Sequence, residues 1–129
     1  LRDKIISTAS SREAFVASAA TLLEEIQASL FAEAKLRLEE AITPIASFAD
    51  LEAYFGAAAE DDEAASAFKG WARVAWSKPT GEALEAVATR LKALKLTIRN
   101  APQNQPSSLG ACIFTGAPGV EEVLVARSY

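Results

Sequence analysis

Gly110-Ala111-Cys112-Ile113-Phe114-Thr115-Gly116-Ala117-Pro118-Gly119-Val120-Glu121-Glu122-Val123-Leu124-Val125-Ala126-Arg127-Ser128-Tyr129 closes the sequence. Two short apolar runs flank a turn built on Gly116, Pro118 and Gly119, so this stretch reads as a β-hairpin. A strand-like run then continues to Tyr129, without the loose polar residues in which most domains end. The terminus itself is therefore expected to be held in place.

Outward from the hairpin, helical and strand patterns alternate. Residues 101–109, with two Pro and two Ser, read as a loop. Leu94 to Asn100 alternates like a half-buried strand. Pro79-Thr80-Gly81 opens a helix running to Ala93, with Leu84, Val87, Ala88 and Leu91 on its buried side. Lys92 and Lys95 lie near the negative end of that helix. Gly70 to Trp76 reads as a strand, with Trp71, Val74 and Trp76 large or β-branched and Arg73 exposed. Ser47-Phe48-Ala49-Asp50 opens another helix, with Ser47 as N-cap and Asp50 at its third position. Leu51, Tyr54 and Phe55 face inward there, and Gly56 is the stop. Thr43-Pro44 breaks the pattern before it, and Ile45 falls in a short strand.

From Ser11 to Glu40 the pattern is one long helix. Phe15, Ala19, Leu22, Leu23, Ile26, Leu30, Phe31, Ala34 and Leu38 recur at three- and four-residue steps, predicting a single apolar stripe. Ser11 is the N-cap, and Ala14 three residues on rules out a capping box. The order of elements predicts an α+β fold: a two-layer α/β sandwich with a small mixed sheet, preceded by the long N-terminal helix.

A chain of 129 residues, 50% hydrophobic, suffices for one core. It has no run of about 18 apolar residues, so no membrane span is expected. Leu1-Arg2-Asp3-Lys4 is not a signal peptide, and the chain contains no Met, so a piece of a longer polypeptide is expected. One Cys and no His exclude an internal disulfide and a His-based triad or general base. They suit a reducing cytoplasm and argue against a structural zinc, which takes four ligands.

Charge is uneven. Residues 1–66 hold 5 basic and 13 acidic side chains, whereas residues 67–129 hold 8 basic and 4 acidic. Such asymmetry can mark a face for a polyanion, or ordinary solvated surface. Glu60-Asp61-Asp62-Glu63 lacks the alternating ligands and the Gly of a calcium loop and reads as a solvated acidic loop. Trp71 and Trp76 could form a stacking platform for bases. With only two tryptophans and Arg73 as the single basic residue between them, core positions are expected instead.

Three segments carry a resemblance. Cys112-Ile113-Phe114-Thr115-Gly116-Ala117-Pro118 and Ala126-Arg127-Ser128-Tyr129 resemble the C-I-x-C-G-x-P segment and the terminal A-K/R-A/S-Y of prolyl-tRNA synthetases of the archaeal/eukaryote-like type. Leu22-Leu23-Glu24-Glu25-Ile26-Gln27-Ala28-Ser29-Leu30-Phe31-Ala32-Glu33-Ala34 is similar to that family's L-L-x-x-I-Q-x-x-L-F/Y-x-x-A helix. Gly70-Trp71-Ala72-Arg73-Val74-Ala75-Trp76 is similar to its G-F/W-x-x-x-x-W strand. The segments occur in the family's order.

The resemblance implies the C-terminal domain of a class II proline–tRNA ligase. Residues 1–42 would be the linker helix from the preceding anticodon-binding domain, its apolar stripe packed partly on other domains. Residues 43–129 would be the zinc-binding-like α/β domain, with a β-α-β-α-β-β layout. Its implied partners are the catalytic and anticodon-binding domains of the same chain, and tRNA(Pro) through the full enzyme. The full enzyme would be a cytoplasmic homodimer that uses ATP and Mg²⁺. Many members hold a zinc with four cysteines. Here Ser77 stands where the first would be, Cys112 is retained, and Thr115 stands where its partner would be. Three of the four ligands are missing, and hydroxyl oxygen replaces thiolate poorly, so no zinc is expected.

No ATP or proline motif of the family occurs in these residues, and Pro118 removes an amide donor from the Gly116–Gly119 turn. The fragment is thus expected to hold no catalytic and no cofactor-binding residue and to be inactive alone. The carboxylate of Tyr129 would dock near the active site of the full enzyme. Two other readings are a free-standing RNA- or ribosome-binding module and a domain that dimerises through the long helix.

Overall fold

A computed structural model describes residues 9–56 and 69–127. The chain forms two compact units, Leu1–Glu39 and Glu40–Tyr129. The first is built on α1, Arg12–Glu40. Ser11 caps it as expected: its hydroxyl accepts from the Ala14 amide at 3.1 Å, and its carbonyl accepts from Phe15.

No residue of α1 is buried, and Phe15, Leu22, Leu23, Ile26, Leu30, Phe31 and Leu38 are all exposed. The expected single stripe is not continuous. At 3.6 residues per turn, Glu33 and Arg37 fall in line with Phe15, Ile26 and Leu30, and there they pair with each other. Leu36 lies off that line, so the apolar positions spread over more than one face. By length and composition α1 is also apolar enough over 18 residues to cross a bilayer, which run length alone did not suggest. Glu24 and Glu25 sit near its middle, and a charge at the bilayer centre costs about 3 kcal/mol or more.

The second unit is a four-stranded sheet in the order β1-β2-β4-β3. The strands are β1 (Ile42–Pro44), β2 (Trp71–Trp76), β3 (Leu96–Asn100) and β4 (Glu121–Arg127). Among the described residues its helices are α2 (Phe48–Phe55) and α3 (Gly81–Ala93). β1 runs parallel to β2, while β4 is antiparallel to both β2 and β3. The sheet is therefore mixed, and α2 lies in the long crossover that a parallel pair requires.

Local chemistry sets the ends of α2. The Asp50 amide donates to the Ser47 hydroxyl at 3.1 Å, and that hydroxyl donates to the Asp50 carboxylate at 2.6 Å. Gly56, at φ 69°, then leaves the helix through a conformation that costs glycine nothing. At the entry to β2, Gly70 has φ +94°, and a Cβ there would collide with the Ala41 carbonyl. That close approach lets the Trp71 amide reach the Ala41 carbonyl at 2.8 Å.

One face of the sheet carries the core. Ala72, Val74 and Trp76 alternate inward along β2, opposite Val125 and Val123 of β4. Leu51 and Phe55 of α2 and Val87 and Leu91 of α3 join the same cluster, so both helices cover this face. β4 is central and buried at four successive positions, Val123 to Ala126, the pattern of a strand covered on both sides. At the edge, the Ile45 amide donates to the Arg73 carbonyl at 2.9 Å. Successive residues turn to opposite edges of a strand, so Pro44 presents its donor-less nitrogen outward.

The terminal hairpin forms only in part. Ala111 and Pro118 make an isolated antiparallel bridge, and residues 112–115 curl into a turn rather than a strand. In it the Cys112 amide donates to the Ala117 carbonyl at 2.7 Å, and the Gly116 amide to the Cys112 carbonyl at 2.9 Å. β4 pairs instead with β2 over Trp76 to Ala72, a longer partner than the short arm before the turn.

Candidate functional site

The turn at 112–115 meets the end of β2. Cys112 is 2% exposed, and its thiol is hydrogen-bonded by the Ser77 and Thr115 hydroxyls. Those two hydroxyls lie 2.9 Å apart. Three of the positions singled out in the sequence thus converge, although Ser77 and Thr115 are 38 residues apart. Burial pushes the Cys112 thiol up. The two hydroxyls and the Phe114 and Thr115 amides together outweigh it and lower the pKa from 9.0 to about 7. One thiol and two hydroxyls do not fit the donor set of a structural zinc, and the hydroxyls are engaged with each other and with the sulfur. Among the described residues, no group of three or more His, Cys, Asp or Glu could hold a metal ion.

The same turn places Phe114 in an aromatic cluster. Its ring meets Phe48 at 5.9 Å and Trp76 at 5.6 Å, both edge to face. The Arg90 guanidinium of α3 lies 3.5 Å from the Phe48 ring centroid and donates to the Phe114 carbonyl at 3.2 Å. Nothing in the sequence signalled this arginine, because its partners are distant along the chain. Arg73, expected to be simply exposed, pairs with Glu122 and donates to the Asn104 carbonyl at 2.8 Å, tying the 101–109 loop to the sheet.

At the end of β4, Arg127 donates to the Phe55 carbonyl, which Lys69 also approaches at 3.5 Å. Arg99 donates to the Arg127 carbonyl at 2.6 Å. Arg127 and Lys69 thus bring positive charge to the negative end of α2, and Arg99 ties down the last described residue of β4. Tyr129, and the acids Glu60 to Glu63, lie outside the described residues. Trp76 is buried and Trp71 half-buried; five residues apart on one strand, they point to opposite faces and form no joint platform.

No family model matches the chain. Individual proteins do. The sequence is 49% identical over 118 residues to a proline–tRNA ligase of Novosphingobium aromaticivorans, covering 92% of this chain and 22% of that protein. It is 46% identical over 127 residues to the proline–tRNA ligase of Sphingomonas elodea, covering 98% and 24%. The chain is a relative of proline–tRNA ligases. It spans between a fifth and a quarter of the length of the relatives it matches. The fold agrees: it superposes on a prolyl-tRNA synthetase from Cryptosporidium parvum complexed with L-proline and AMP. The TM-score is 0.70 at 20% identity, over 100% of this chain and 25% of the ligase.

Proposed function

We propose that the chain is the C-terminal structural domain of a class II proline–tRNA ligase, which attaches proline to tRNA(Pro) with ATP and Mg²⁺. The observation that carries this reading is the match of nearly the whole chain to a portion of proline–tRNA ligases at 46–49% identity. Residues 1–42 are the linker helix from the anticodon-binding domain, and residues 43–129 form the α/β domain. Its role is architectural: it packs on the catalytic and anticodon-binding domains of the same chain. The apolar side chains exposed along α1 support such packing. The whole enzyme is a cytoplasmic homodimer acting in translation, and this domain contributes no catalytic, nucleotide-binding or metal-ligating residue.

The Tyr129 carboxylate is placed near the active site. Support comes from β4, which is clamped by Arg99 and Arg127 up to two residues before the terminus. Deleting Ser128 and Tyr129 from the full-length ligase is expected to lower aminoacylation while the domain stays folded by circular dichroism. Unchanged kinetics would remove this role.

The domain binds no zinc, and the hydrogen-bonded Ser77, Thr115 and Cys112 cluster supports that reading. Metal analysis of the purified protein should find less than a tenth of an equivalent, whereas one equivalent (about the stoichiometry of a structural site) would overturn it.

A further inference from the structure

We draw no further inference here: the strongest candidate, the exposed apolar face of α1 around Leu22, Leu23, Ile26, Leu30 and Phe31, carries nothing beyond the packing proposed above, because nothing in the structure shows what covers it.

Discussion

Cys112 combines two properties that usually exclude each other. It is buried among apolar side chains, and its thiol is nevertheless held at about 7 rather than 9.0, because four hydrogen bonds outweigh the burial that raises it. A thiol with a depressed folded pKa binds fewer protons folded than unfolded between those two values. Its contribution to stability is therefore fully present above pH 9 and is lost as pH falls through 7. Two pKa units correspond to at most about 2.7 kcal/mol. Urea unfolding at pH 6.5 and pH 9 is expected to show higher stability at the alkaline end, and Cys112→Ala should flatten that difference. An equal pH dependence in both proteins would assign it to other groups. Residue identity alone announced none of this: a single cysteine reads as a small hydrophobe, and its polar neighbours come from Ser77 and Thr115.

The turn that carries Cys112 and Phe114 works as an element. Cys112 faces the hydroxyls, Phe114 fills the gap between Phe48 and Trp76, and Arg90 lies over Phe48 and donates to the Phe114 carbonyl. Replacing the hydroxyls together, Ser77→Ala with Thr115→Val, should return the thiol towards 9.0 and destabilise the fold by about 1–2 kcal/mol, a typical cost for two partly exposed hydrogen bonds. The checks are ultraviolet titration of the thiolate and a denaturant melt. A pKa that stays near 7 would leave the amides of Phe114 and Thr115 as the whole cause. Elements defined by local chemistry were legible beforehand. Ser47, Asp50 and Gly56 mark both ends of α2 within ten residues, and the alternation of Trp71 to Trp76 marks β2. The hairpin was not, because Gly116 and Pro118 fix a turn but do not say which strand β4 will take as partner. That choice is made across the fold, where β2 offers a longer and more buried ladder.

At the scale of the molecule, the core and the sheet belong to one unit: every member of the core cluster lies at Ile45 or later. A fragment of residues 40–129 is therefore expected to fold without α1, melting cooperatively in circular dichroism. A broad, non-cooperative melt would show that the core needs residues 1–39. The length of α1 was readable from Ser11 and Thr43-Pro44, whereas its lack of buried residues was not, since periodicity reports which side chains are apolar and not whether anything meets them. The sheet also has two unlike borders. Beside β2 the outer strand is three residues long and ends on Pro44, whose nitrogen cannot donate. A strand arriving from another molecule would find a rung missing there, so edge-to-edge pairing between molecules is disfavoured along that margin by one imino acid.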